Sequence, residues 1–388
     1  MSLNNTPSSE RVHIGFFGRT NAGKSSLVNA VTNQNLSIVS DISGTTTDPV
    51  MKAMELLPLG PVVIIDTPGF DDETELGKLR AEKTNQVISK CHIAVLVVDS
   101  ACGLTPTVEN LIKLFKEKNI NYIIVYNKCD KVRTDGFCVS AVTGEGIDEL
   151  REKIATLAPK ETERKIVSDL IASGDMVVLV TPIDESAPKG RIILPQQQTI
   201  RDILDADAMC CVCKETELSK TLENLTSPPR MVICDSQVFK KVADIVPENI
   251  PLTSFSILMA RYKGFLDIAT RGIEAMRNLS DGDTVLIAEG CTNLRQCNDI
   301  GRVKIPKGIK NYTGKNLNIK TVSGTEFYND LSGVSLIIHC GGCMLNDKEV
   351  KSRMEQAEAQ NVPVTNYGTA LAEFSQILNR SMEAIYGR

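Results

Sequence analysis

Short apolar runs alternate with longer stretches of mixed polarity through residues 11–157. "VHIGFFG", "PVVIIDTPG", "HIAVLVVDS" and "NYIIVYNKCD" read as buried parallel strands, each followed by a loop that carries function. With helix-like stretches between them, this predicts a doubly wound, mostly parallel α/β sheet. "ELREKIATLAPKETERKI" then reads as a last helix and a charged linker, which sets the first boundary. From about 170 to 260 the pattern predicts a second α/β block, with "DMVVLVTPI" and "PRMVICDSQ" as strands and "QTIRDILDADA" as a helix. A third block starts near Arg261. Its strands are "DTVLIAEGC", "LNIKTVSG", "GVSLIIHCGGC" and "VPVTNYG", and "ALAEFSQILNRSMEAIYG" is one closing amphipathic helix. The expected organisation is a domain over 1–160 and two smaller α/β domains over 168–260 and 261–388, without internal sequence repeat or low-complexity segment.

The first block carries four motifs in order, each at a predicted strand end. "GRTNAGKS" follows the first strand and opens the helix "SSLVNAV", the context a phosphate-binding P-loop requires. Gly18 and Gly23 let the backbone bend so that its N–H groups, with those of Asn21, Ala22 and Ser26, face the phosphates at a helix N-terminus. Lys24 places its charge on the β and γ phosphates, and Ser25 offers a hydroxyl to Mg²⁺. In "DTPG", Asp66 is placed to hold Mg²⁺, directly or through water, and the Gly69 N–H to meet the γ-phosphate. "SDISGTTTDP" lies between the two, and Thr46 is the expected second Mg²⁺ ligand, with Thr45 and Thr47 as alternatives. Asn127, Lys128 and Asp130 form "NKCD". The Asp130 carboxylate accepts from guanine N1–H and the 2-amino group, donors that adenine lacks there, so GTP and GDP are selected over adenine nucleotides. Ser140 and Ala141 in "SAVTGEG" are expected to close over the base. The set predicts a GTPase in which Lys24, Thr46, Asp66 and Gly69 serve catalysis. Phe70 stands where a water-orienting Gln would help, so intrinsic turnover is expected to be slow unless Glu73 or Glu75 positions the water.

Composition narrows the surroundings. The chain has 388 residues, a formal charge of −5, 4% aromatics and no Trp, which argues against bulk nucleic-acid affinity and stacking platforms. No apolar stretch of about 18 residues implies a membrane span. Twelve Cys without a secretory leader point to a reducing cytoplasm, where Cys spacing reads as metal or redox chemistry. "IIHCGGCM" places His339, Cys340 and Cys343 in a Gly-Gly turn after a strand, and Cys291 follows the strand "DTVLIAEG". If these strands are parallel neighbours, three thiolates converge. That suits a [4Fe–4S] cube with one iron open. Zinc would need a fourth ligand, from Cys297 or His339. Cys210, Cys211 and Cys213 lie in a continuous apolar run and read first as buried strand packing, with a second metal site as the alternative. The run 302–320 holds six basic residues and no acidic one, and reads as a solvated loop or as a surface for an anionic precursor.

The nucleotide motifs resemble those of the GTPases of translation and tRNA modification. "GRTNAGKSSL" and "GTTTD" are similar to the potassium-activated branch, which implies that Asn21 helps to bind K⁺. "GCTNLRQCNDIGRVKIP" and "HCGGCM" behind such a domain resemble the HydF family, the GTPases of [FeFe]-hydrogenase maturation. The resemblance spans essentially the whole chain. It implies a [4Fe–4S] cluster on Cys291, Cys340 and Cys343, with a variable or exchangeable fourth ligand such as His339, Asp299, Glu289 or solvent. Asn293 stands where many members carry His. The family's role implies a scaffold that receives a transient di-iron subcluster precursor from radical-SAM hydrogenase maturases and passes it to apo-[FeFe]-hydrogenase. It also implies a homodimer built on the middle block by edge-strand pairing. Neither nucleic acid nor membrane is expected as a partner. The competing expectation is a potassium-dependent GTPase of RNA modification or ribosome assembly with a zinc-stabilised C-terminal module.

Overall fold

A computed structural model describes residues 6–34, 49–69, 83–159, 164–183, 192–291, 300–324 and 326–387. The chain divides into two compact units, Met1–Thr162 and Glu163–Arg388.

In the first unit β1 (Val12–Gly18), β2 (Val50–Leu56), β3 (Gly60–Asp66), β4 (Ile93–Asp99) and β5 (Asn121–Asn127) form one sheet in the order β2-β3-β1-β4-β5. β3, β1, β4 and β5 are parallel, and β2 pairs antiparallel to β3. Helices α1 (Lys24–Thr32), α2 (Pro106–Glu117) and α3 (Ile147–Thr156) cover the faces. Alternation along β1 splits the core: Ile14 and Phe16 pack with Leu27 of α1 and Leu150 of α3, while Phe17 packs with Leu111 and Phe115 of α2. A strand covered on both faces reads as a continuous apolar run, which is why β1, β3, β4 and β5 stand out in the sequence. β2 does not. Only Leu56 is buried in "VMKAMEL", and Lys52 and Glu55 mark it as a guarded edge.

The second unit holds two parallel four-stranded sheets. β6 (Met176–Val180), β7 (Met209–Cys213), β8 (Met231–Cys234) and β9 (Leu252–Ser254) take the order β7-β6-β8-β9. β10 (Thr284–Glu289), β11 (Asn318–Ser323), β12 (Leu336–His339) and β13 (Val364–Asn366) repeat it as β11-β10-β12-β13. The helices in chain order are α4 (Leu194–Asp205), α5 (Leu218–Glu223), α6 (Phe239–Ala243), α7 (Phe255–Tyr262), α8 (Leu266–Arg277), α9 (Ile305–Thr313), α10 (Asp347–Ala359), α11 (Tyr367–Phe374) and α12 (Leu378–Tyr386).

Each sheet ends in a capped helix. The Ser254 side chain accepts the Ile257 N–H at α7, and Asn366 accepts the Thr369 N–H at α11. The next helix of each half then crosses to the other sheet. α8 lies on β13, where Thr365 Oγ1 donates to the Ala269 carbonyl at 2.8 Å. Gly272 permits that approach, because a Cβ would stand 2.0 Å from the Val364 carbonyl oxygen. α12 lies on β9, and Arg380 donates to the carbonyls of Val246, Pro247 and Ile250. This exchange joins both sheets in one core, so the second and third sequence blocks share a single compact unit.

Two expectations change. The closing helix is two helices, broken at the left-handed Gln376 (φ 60°), where the chain turns so that α12 reaches β9. The basic run is not a loop. Its middle forms α9, with Ile305 and Ile309 buried and Lys307 and Lys310 exposed, and its last residues open β11. Among the described residues no helix is long and apolar enough to cross a membrane.

Candidate functional site

The last residues of β1, β3, β4 and β5 are Gly18, Asp66, Asp99 and Asn127, so one sheet edge gathers the nucleotide motifs. Gly18 has φ 148°, and a Cβ there would sit 2.2 Å from the Val97 carbonyl oxygen. The loop then passes over Asn127, whose Nδ2 donates to the Ala22 carbonyl at 3.0 Å while its Oδ1 accepts the Ala141 N–H at 3.2 Å. One buried amide thus ties the phosphate loop to the base-closing segment. Lys128 Nζ donates to the Asn21 carbonyl and pairs with Asp99, both at 2.6 Å. Asp99 is a site residue that sequence reasoning missed, and its signal is a carboxylate closing a wholly apolar strand.

Lys24 is buried, and its Nζ donates to the Arg19 carbonyl at 2.8 Å, which holds the ammonium inside the loop. Ser25 Oγ donates to Asp66 Oδ2 at 2.6 Å, so the expected Mg²⁺ oxygens from α1 and β3 meet. A hydroxyl and a carboxylate are the hard donors that Mg²⁺ prefers. Ser26 lies in the same first turn of α1. Asp130 Oδ1 accepts from the fully buried Ser140 Oγ at 2.6 Å, which orients the carboxylate meant for guanine. Gly69 lies against Thr20 so closely that a Cβ would come within 2.6 Å of the Thr20 Cα. Thr45, Thr46, Thr47, Phe70, Glu73 and Glu75 lie outside the described residues, as do Asn293, Cys297 and Asp299.

In the second unit β10 and β12 are parallel neighbours whose last pair is Ala288 with His339. Cys340 follows immediately on one strand, and Gly290 and Cys291 on the other. The Gly290 N–H donates to Cys340 Sγ at 3.0 Å and the Gly342 N–H donates to it at 3.3 Å. Burial pushes the Cys340 thiol up, against the pull of those two donors and of Arg353. Burial also pushes the Cys343 thiol up to about 12, and charge on Cys340 and Cys291 adds to it, while Lys263 opposes. Among the described residues no three His, Cys, Asp or Glu side chains stand close enough to hold a single metal ion.

His339 turns into the protein. It is fully buried and edge-on to Phe265, with Nδ1 2.7 Å from the Cys340 carbonyl and Nε2 3.3 Å from an Arg353 nitrogen. A carbonyl only accepts and a guanidinium only donates, so the proton sits on Nδ1. Burial, with Arg353 adding, lowers the ring's pKa to about 3. Both nitrogens are engaged, which leaves this neutral ring as packing beside the thiols. Glu289 is tied as well, by Tyr367 and Ser323 hydroxyls at 3.3 Å and by Arg302 at 3.7 Å. Arg353 and Glu349 escaped the sequence reading because an i, i+4 charge pair looks like solvated helix surface. Here the pair is buried, and Arg353 also donates to the Gly324 carbonyl.

Residues 13–128 match the model of the 50S ribosome-binding GTPase family. Residues 166–264 match the hydrogen maturase F dimerization domain, and residues 267–384 its tetramerization domain. The tRNA modification GTPase MnmE of Chromobacterium violaceum is 35% identical over 37% of this chain and 34% of its own length. GTPase Der of Methylacidiphilum infernorum is 32% identical over 39% of this chain and 36% of its own. The chain thus spans about a third of the length of these relatives. Era of Aquifex aeolicus bound to GDP·AlF4⁻ is 19% identical over 52% of this chain and 91% of its own, with a TM-score of 0.36. The first unit is a P-loop GTPase domain, and with two hydrogen maturase F domains following it the chain belongs to the hydrogen maturase F family.

Proposed function

We propose that this chain is a GTP-hydrolysing carrier that binds a [4Fe–4S] cluster with one iron open and delivers a di-iron precursor to apo-[FeFe]-hydrogenase. The observation that carries the reading is the seam between β10 and β12, which brings Cys291 and Cys340 to adjacent strand ends. Cys343 follows one turn on. The donor set fits the group. Each thiolate of a cube binds its own iron, so three thiols need not close on one ion, and N–H groups already aimed at Cys340 sulfur are the contacts that stabilise cluster sulfur. When bound, the cluster supplies an iron with a free coordination position. The protein holds the three sulfurs, turns His339 away and keeps Glu289 in its own hydrogen bonds. The radical-SAM maturases would supply the precursor, and the reading places the protein in the cytoplasm. MnmE and Der match less than two fifths of this chain and about a third of their own length, so what they act on does not carry over. Anaerobic reconstitution with iron and sulfide tests the reading: about four irons per chain and an EPR signal after reduction are expected, and a colourless zinc protein would overturn it.

In the first unit Ser25 and Thr46 would hold Mg²⁺, with Asp66 directly or through water, and Asn21 would hold K⁺. Asn21 stands at an exposed, left-handed turn of the phosphate loop, φ 61°. Asn21→Ala is expected to erase a stimulation of GTP turnover by K⁺ over Na⁺, and equal rates in both salts for the unaltered protein would end the potassium assignment. A homodimer forms along β7. Of the other outer strands of the second unit, β9 and β13 are only three residues long and β11 carries Lys320. β7 carries no charge, and Met209 and Val212 are exposed. An uncharged open edge is a template for pairing.

A further inference from the structure

We infer that the dimer axis passes between Cys211 and the partner's Cys211, and that these two thiols form a redox-addressable pair across the interface. The inference rests on the dimer reading above and deepens it to a register. The run "MCCVC" was expected to be buried. It is instead an edge strand, and its three thiols are only half-buried.

The backbone hydrogen bonds fix which residues are free to pair. The Met209 N–H donates to the Asp175 carbonyl at 2.8 Å, and the Thr181 N–H donates to the Cys213 carbonyl at 2.9 Å. In a parallel ladder a residue points its N–H and C=O to the same side. Met209, Cys211 and Cys213 therefore bond toward β6, and Cys210 and Val212 turn both groups to the open edge. A second copy related by a two-fold axis pairs antiparallel. In the register that uses both outward-facing residues, Cys210 pairs with the partner's Val212 and Val212 with the partner's Cys210. The middle residue, Cys211, then faces its own copy in a pair without hydrogen bonds. The Cα atoms of such a pair lie about 4.5 Å apart, within the range of about 4.4–6.8 Å that a disulfide spans. A register centred on Cys210 or on Val212 leaves one outward-facing residue paired and the other beyond the five-residue strand or opposite its end.

The redox step balances as two thiols giving up two protons and two electrons. The oxidant in the test is diamide, a diazene that is reduced to its hydrazine. Light scattering on the untreated protein reads the assembly, and diamide followed by non-reducing electrophoresis reads the register. The expected result is a mass of two or four chains, with a crosslinked dimer that disappears in Cys211→Ser and persists in Cys210→Ser and Cys213→Ser. A monomer by light scattering overturns the dimer reading and the inference together. An assembled protein whose crosslink survives Cys211→Ser, requires Cys210 or Cys213, or never forms overturns the register alone. Serine is close to isosteric with cysteine, and each variant's light-scattering mass shows whether assembly is intact.

Discussion

Lys24→Ala is expected to lower GTP turnover by about 10³-fold while leaving the protein folded and its iron content unchanged. The magnitude follows from the position of the charge. Removing one preorganised donor to developing charge costs about 10²–10³-fold, and a buried ammonium stands at the upper end. Lys24 sits in the first turn of α1, and the Arg19 carbonyl is its anchor within the loop. Truncation removes that contact without opening the core, since Leu27, Val28 and Val31 form the packed face of α1. The frame around the lysine stays in place through Asn127, which ties Ala22 to Ala141, and through Lys128, which bridges Asn21 and Asp99. Nucleotide binding is therefore expected to weaken less than turnover does. Phosphate release, a melting curve and iron quantification on the reconstituted variant provide the check. A loss of iron in parallel with turnover would show that the two chemistries do not reside at separate sites.

The motifs were legible because each needs a residue type that little else explains. A glycine with a carbonyl oxygen 2.2 Å from its absent Cβ, as at Gly18, has few substitutes, and strands covered on both faces announce themselves as apolar runs. Cys291 and Cys340 were legible for the same reason, since parallel strands deliver their next residues to one edge. What stayed hidden depends on partners far away in sequence. Arg353 serves His339 and Gly324 from a helix face that looks solvated. Asp99 acquires its role only when Lys128 folds back over the phosphate loop. The crossing of α8 and α12 between the two sheets leaves no local signature, because Gly272 and Arg380 are ordinary helix residues until their acceptors on the other half are known. His339 marks the opposite case. Its neighbours Cys340 and Cys343 made it look like a ligand, yet it ends an inner strand buried along its whole length and packs against Phe265 and Arg353.

The two N–H groups aimed at its sulfur make Cys340→Ser the sharpest test of the cluster. A serine oxygen at this position accepts the same N–H groups from Gly290 and Gly342, so the β10–β12 seam and the Gly-Gly turn keep their hydrogen bonds. What changes is the softness of the donor: an alkoxide is a poor substitute for a thiolate on iron. After anaerobic reconstitution, iron is expected to fall from about four per chain to below about one, with loss of the broad absorbance in the visible region. GTP turnover by the first unit is expected to stay within about twofold, since the substitution lies in the other compact unit and shares no partner with the nucleotide motifs. His339→Ala is the contrasting variant. It removes a buried ring that packs against Phe265 and accepts from Arg353, so it should lower the melting temperature while leaving three thiols to bind iron. If Cys340→Ser kept its iron while His339→Ala lost it without unfolding, the ligand would be the imidazole, and the buried neutral ring would have to leave its pocket to serve.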